Sequence, residues 1–428
     1  MKIVKLISAP VRTGFFFDDQ LAIKNGAEPD GFTYQGMPQT RGFSRVRQAG
    51  EGVSVLLQLE DGFYAYGDCV AVQYSGVDGR DGLFLAAEAI PVINRVVKPR
   101  LEGRTVTTFR EMAREADGLV DPATGRRLHT AIRYGLTQAL LNAVAHARKK
   151  FMFEVVAEEY GLKPVTVPVP IFTQSGDERY LNADKMILKG VDALPHGLFN
   201  NVETKVGRQG EKLLAYADWL KQRIEALKPR ADYRPVIHLD LYGTLGMAFQ
   251  EDPVKITAYL TRLEQAVAPY PLRVEDPVVL RDKSSQIKLM TELTQRLAAQ
   301  GSRVTLVADE WCNNLDDIKD FVLAGAAGMI QVKTPDLGGL NNTIEAVLFC
   351  KAHGIAPYLG GSCNETDRSA RICAHIALAT GPALIMAKPG MGVDEGLMII
   401  YNEMSRMLAI RREAGRESRS CFSKPVMI

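Results

Sequence analysis

No two of the six cysteines (Cys69, Cys312, Cys350, Cys363, Cys373, Cys421) form a CxxC pair. That removes a zinc ribbon, a dithiol redox motif and a dense disulfide framework from consideration. No run of about 18 apolar residues occurs, so no membrane span is expected. The opening Met1-Lys2-Ile3-Val4-Lys5 lacks the apolar core of a secretory signal. An excess of one charge is missing too. With 52 Lys+Arg against 50 Asp+Glu, the formal net charge of +2 gives no global field to recruit nucleic acid or anionic lipid. The expectation is a cytoplasmic chain with reduced thiols, an enzyme of central or peripheral metabolism.

The 428 residues, 46% of them hydrophobic, suffice for a large core. Residues 1–160 have a mixed α+β pattern. Val53-Ser54-Val55-Leu56-Leu57-Gln58-Leu59, the turn Glu60-Asp61-Gly62 and Phe63-Tyr64-Ala65-Tyr66 predict a β-hairpin. Leu136, Leu140, Val144 and Ala147 predict an amphipathic helix over 131–150. No low-complexity linker follows, so the next region should pack closely against this one.

From about 165 the pattern alternates. Short apolar runs near 167–172, 185–190, 235–240, 271–275, 304–308, 329–333, 356–359 and 383–387 give eight candidate strands. Helical patterns lie between most of them. Leu213, Ala217, Leu220, Ile224 and Leu227 share one face ahead of Pro229. Ile287, Met290, Leu293 and Leu297 share another and stop at Gly301. Eight strands alternating with helices predict an α/β fold, a (β/α) barrel over 161–410, with a doubly wound sheet as the alternative. The Arg- and Ser-rich stretch 411–428 is expected to be a solvated tail.

Catalytic side chains of a parallel barrel sit at the C-terminal ends of its strands. Three successive candidates close on acids, in His238-Leu239-Asp240, Arg273-Val274-Glu275 and Val307-Ala308-Asp309. Asp240, Glu275 and Asp309 stand 35 and 34 residues apart, about one βα repeat each. Singly, each acid suits a helix N-cap as well as a ligand. Together on one rim they would repel unless a cation sat among them, and an all-oxygen set on rigid strands suits Mg²⁺. The next strand ends in Lys333. Beside a divalent cation its pKa should fall, which would make it a base; a salt bridge to one of the acids is the alternative. Across the mouth lie Gln174 and His196, and His238 could also reach the site. His129, His146, His353 and His375 are assigned no chemistry. Gly360-Gly361-Ser362-Cys363-Asn364-Glu365 offers N–H groups suited to an anion at a helix start. Gly390-Met391-Gly392 matches a phosphate loop only superficially. Metal-assisted removal of a proton next to a carboxylate is the chemistry these parts support.

Longer strings carry a resemblance. They are Gly14-Phe15-Phe16-Phe17-Asp18-Asp19-Gln20, Leu128-His129-Thr130-Ala131-Ile132-Arg133-Tyr134-Gly135 and Gln174-Ser175-Gly176-Asp177. Val307-Ala308-Asp309-Glu310-Trp311-Cys312-Asn313, Lys333-Thr334-Pro335-Asp336-Leu337-Gly338-Gly339 and Lys388-Pro389-Gly390-Met391-Gly392-Val393-Asp394-Glu395-Gly396 complete the set. Over residues 1 to about 410 the chain resembles the methylaspartate ammonia-lyases of the enolase superfamily. The resemblance implies an N-terminal capping domain on the barrel and loss of ammonia from L-threo-3-methylaspartate to give mesaconate. It also implies Mg²⁺ on Asp240, Glu275 and Asp309, with Lys333 as the base and His196 as a second catalytic group. Gln174, Gln331, Ser362 and Cys363, with His196, would contact substrate. K⁺ as activator and a homodimer follow from the same source. One departure is Ser362, where the family has threonine; the missing methyl implies looser tolerance of analogues, by about 1–3 kcal/mol. A cycloisomerase or epimerase of the same superfamily, or a non-catalytic barrel, are the alternatives.

Overall fold

The computed structural model describes residues 1–422, with side chains to 413. The N-terminal region is built on an antiparallel sheet of Ile3–Asp18, Arg47–Leu59 and Tyr64–Cys69, with the middle strand in the centre. The predicted hairpin is present, paired from Val53 opposite Cys69 to Gln58 opposite Tyr64. Val53, Val55, Leu57 and Leu59 alternate inward along the central strand and are fully buried.

Against this sheet lies the helix Thr130–Ala147. It was expected to be amphipathic, but the structure buries nearly all of its circumference. The cap sheet covers one side, and the barrel helices Leu340–Ala352 and Asp367–Thr380 touch another. A helix enclosed by two layers has no polar face to keep. Close approach depends on two glycines. A Cβ on Gly135 would lie 2.3 Å from the Cys69 nitrogen, and one on Gly67 would lie 2.4 Å from the Gly135 oxygen.

The barrel strands are Ile171–Phe172, Ala193–His196, Val236–Asp240, Leu272–Glu275, Thr305–Ala308, Met329–Val332, Ala356–Leu359 and Leu384–Met386. They close in sequence order, every neighbouring pair parallel, which excludes the doubly wound sheet. The second strand is the one misplaced element. Residues 185–190 form the end of the helix Arg179–Lys189, capped by Gly190 in the left-handed conformation. The run Met186-Ile187-Leu188 buries only its first two side chains, as a helix face does. Both helices predicted between strands are present, as Glu211–Leu227 and Lys283–Ala299. The stretch expected as a tail from 411 begins inside the last helix, Glu395–Phe422; residues 423–428 lie outside the described residues. Among the described residues no helix is long and apolar enough to cross a membrane.

Candidate active site

The strand ends deliver the expected side chains to one mouth. His196, Asp240 and Glu275 are the last residues of the second, third and fourth strands. Asp309 and Lys333 come one residue after the fifth and sixth strands, and Gln331 lies within the sixth. Gln174 follows the first strand by two residues, and Ser362 and Cys363 lie beyond the seventh. All but Glu275 line one cavity, and Glu275 is fully buried.

Oxygens of Asp240, Glu275 and Asp309 all lie within 4.8 Å of one another. Burial pushes the Glu275 carboxyl well above the ordinary carboxylate range, with Asp240, Asp309 and Asp276 adding repulsion. Asp309 is pushed up to about 6, because burial outweighs the pull of the Lys333 ammonium. Three ionised carboxylates this close and this dry need a positive charge between them. Neighbours hold each acid in place. His238 Nε2 is 2.8 Å from Glu275 Oε2, and the Gln331 amide donates to the other Glu275 oxygen. His196 Nε2 lies 3.1 Å from Asp240 Oδ2. Asp309 Oδ1 is buried without a hydrogen-bond partner. A free buried oxygen among hard oxygen donors is the observation that fits a small divalent cation such as Mg²⁺.

His238 therefore does reach the site, as a fully buried support for Glu275. Burial, with Arg273 and His196 nearby, holds its pKa well below the usual histidine value. Its neutral ring then donates to the carboxylate from Nε2.

Lys333 Nζ is 2.7 Å from Asp309 Oδ2. Its pKa was expected to be lowered, and among the protein's own charges the shift is the opposite. Burial and the Arg80 guanidinium disfavour the ammonium, but Asp309, Glu310 and Asp336 outweigh them and raise the pKa. The salt bridge and the position of a base are one and the same here. In the closed ring of eight strands the second and sixth are diametrically opposite. Lys333 and His196 thus face each other across the acids.

The segment 360–365, expected at a helix start, is a loop ahead of the helix instead. The helix starts at Asp367, with Thr366 as its N-cap, and the Ser362 N–H is directed to Glu365 Oε1 at 3.4 Å. Ser362 Oγ instead accepts from the Gln73 backbone N–H at 3.1 Å, and Cys363 Sγ donates to Gln73 Oε1 at 2.8 Å. Gly390-Met391-Gly392 packs behind this loop, with the Gly390 N–H on the Cys363 carbonyl at 2.8 Å.

Sequence reasoning missed the groups that come from the cap. Gln73, Tyr74 and Arg80, from the loop after the hairpin, line the cavity. Arg80 pairs with Glu310 at 2.5 Å and Asp336 at 2.8 Å, with its side chain 2% exposed. Asp276 was missed as well; it accepts the N–H groups of Asp309 and Glu310 at 3.1 and 2.8 Å, shaping the turn that presents the acid. Non-glycine residues with positive φ cluster here: His196 at 72°, Tyr242 at 49°, Asp276 at 39° and Trp311 at 69°. Each costs on the order of 1–3 kcal/mol and persists where surrounding structure fixes it, commonly at active sites.

Two family models cover the chain: the methylaspartate ammonia-lyase N-terminus over residues 1–161 and its C-terminus over 164–413. Methylaspartate ammonia-lyase 1 of Carboxydothermus hydrogenoformans is 59% identical over 410 residues, covering 96% of this chain and 97% of its own. The enzyme of Clostridium tetanomorphum is 53% identical over 96% of this chain and 99% of its own. The Mg-complex structure of β-methylaspartase from that organism superposes with a TM-score of 0.91 at 52% identity, covering 97% of this chain and all of that one. The Citrobacter amalonaticus structure containing (2S,3S)-3-methylaspartic acid gives a TM-score of 0.94 at 52% identity, over 96% of this chain and all of that one. Muconate lactonizing enzyme from Pseudomonas fluorescens, at 16% identity and a TM-score of 0.59 over 88% of this chain and 84% of its own, shares the capped-barrel fold. Full-length family matches and identities above half the aligned positions lead to one conclusion: the chain belongs to the methylaspartate ammonia-lyase family.

Proposed function

We propose that this chain removes ammonia from L-threo-3-methylaspartate to give mesaconate, with Lys333 taking the C3 proton. The observation that carries the reading is Lys333 and His196 opposed across three convergent carboxylates within one cavity. The related Citrobacter enzyme containing (2S,3S)-3-methylaspartic acid supports the substrate, and the related Clostridium Mg-complex supports the metal.

Asp240, Glu275 and Asp309 would hold Mg²⁺. When bound, the ion supplies fixed positive charge facing a substrate carboxylate on which negative charge builds. Lys333 Nζ, as the neutral amine, accepts the C3 proton. The C–H electron pair becomes the C2=C3 double bond, and the C2–N bond breaks to release ammonia. The acids that raise the Lys333 pKa include the proposed ligand Asp309, so metal ligation and a free amine are linked. His196, steadied by Asp240, faces the opposite side of the substrate as the second catalytic group. Gln174, Gln331, Ser362 and Cys363 contact the substrate's carboxylate and amino groups. The family resemblance supports K⁺ as activating cation, a homodimer and a cytoplasmic location.

An ultraviolet assay for the conjugated dicarboxylate, with and without EDTA, tests the reading. Product should form with Mg²⁺ and K⁺ and cease with EDTA. Lys333→Ala should lower kcat by about 10²–10⁴-fold, the usual worth of a general base, while Mg²⁺ binding persists. Near-normal turnover by that variant would remove Lys333 as the base.

A further inference from the structure

A further buried charge pair adjoins the loop that lines the cavity, outside the machinery just described. Lys388, two residues beyond the eighth strand, and Glu365 are both fully buried and stand 2.7 Å apart. The ammonium also donates to the Gly360 carbonyl at 2.7 Å and to Thr334 Oγ1 at 3.1 Å. Thr334 Oγ1 donates in turn to Glu365 Oε1 at 3.1 Å. The other Glu365 oxygen accepts the Tyr134 hydroxyl of the cap helix at 2.9 Å.

Each partner belongs to a segment that presents a functional group. Thr334 follows Lys333 directly. Gly360 opens the loop that carries Ser362 and Cys363. The pair also bears on that loop's backbone, since a Cβ on Gly361 would meet Glu365 Oε1 at 2.3 Å and Lys388 Nζ at 2.4 Å. Burying two charges is expensive, and an apolar pair of equal volume would often serve stability as well. Lys388 satisfies all three of its N–H donors, on Thr334 after the sixth strand and on Gly360 and Glu365 at the two ends of the loop after the seventh, which an apolar residue could not do.

We infer that Lys388 and Glu365 are positioning residues: a brace that fixes Lys333 relative to the Ser362–Cys363 loop. The inference rests on the reading of Lys333 as base and of that loop as a substrate contact.

The test compares wild type, the charge-balanced double variant Lys388→Met/Glu365→Gln, and Thr334→Val, which removes one strut and leaves the pair. For each, kcat and KM for 3-methylaspartate are measured per Mg²⁺-binding site, alongside Mg²⁺ affinity and Tm. In the double variant kcat should fall about 100-fold, the order expected when reacting groups shift by about 1 Å. Thr334→Val should lower it by about tenfold, in line with two lost hydrogen bonds. Mg²⁺ affinity should stay at the wild-type value in both. A double variant that folds, binds Mg²⁺ and keeps wild-type kcat and KM would overturn the brace. Should the double variant fail to fold, Thr334→Val decides on the same criterion. A wild type silent toward 3-methylaspartate would instead sink the functional reading, and the brace with it.

Discussion

Stability of the metal-free protein should fall as pH rises from 4 to 7, and Mg²⁺ should reverse that fall. Asp309 has its folded-state pKa raised from 3.8 to about 6. A raised carboxyl pKa means the folded protein binds the proton more tightly than the unfolded chain. Ionisation therefore opposes folding, by nothing below pH 4 and by its full amount above pH 6. At 1.36 kcal/mol per unit, a shift of about two units is worth roughly 3 kcal/mol. Glu275 and Asp276 are raised as well and act in the same direction. A cation bound to the ionised acids removes the penalty only where they are ionised. At about 1 °C per kcal/mol for a chain of this size, the gain from Asp309 is on the order of 3 °C. The assay is calorimetric Tm with EDTA and with Mg²⁺ from pH 4.5 to 8, read as the difference so that other titrating groups cancel. Glu275→Gln should raise Tm in EDTA and abolish the Mg²⁺ response. A Mg²⁺ shift of equal size at pH 4.5 and 7.5 would refute the electrostatic reasoning.

Arg80→Ala leaves Glu310 and Asp336 buried without their cation, so urea unfolding should show a loss of about 3–5 kcal/mol. A loss below about 1 kcal/mol would mean that water reaches those acids. Asp117 accepts from Arg133, Arg127, the Gly339 N–H and Asn342, which together hold its pKa below the ordinary value despite burial. Its contribution is complete above about pH 4 and is lost as pH falls through the depressed pKa. The stability gap between wild type and Asp117→Asn, about 1.5–3 kcal/mol at pH 7, should therefore narrow by pH 3. A gap independent of pH would contradict this. Gly135→Ala drives a methyl into the third cap strand and should cost at least about 1–3 kcal/mol in chemical denaturation; a neutral result would show that the helix can shift.

Much of this was legible in the linear sequence because barrel strands are local signals. Val236–Asp240 and Thr305–Ala308 are apolar runs that end at an acid, and one repeat of spacing aligned those acids on one rim. The second strand was hidden because Ala193–His196 is four residues long and contains proline, whereas the neighbouring helix offered a stronger apolar run. Arg80 left no trace for a different reason. Its partner Asp336 is 256 residues away, and nothing in a glycine-rich loop announces that packing will bury a guanidinium. The acids Glu310 and Asp336, which raise the Lys333 pKa in the absence of a cation, were hidden for the same reason: they reach it only through tertiary structure. The orphan contour of the Thr130–Ala147 helix depended on knowing that two layers would close on it.

That helix also limits how the enzyme can admit its substrate. Leu136, Leu140, Leu141 and Val144 are fully enclosed, in a core cluster that takes in both cap and barrel. A clamshell swing of the cap would strip the barrel-side contacts from this helix, at about 1.5–3 kcal/mol for each large apolar side chain exposed, a sizeable share of the stability a protein has. The short stretch between Cys69 and Ala86 carries Gln73 and Arg80 into the cavity wall, so cap and barrel together build the chamber rather than one covering a finished site in the other.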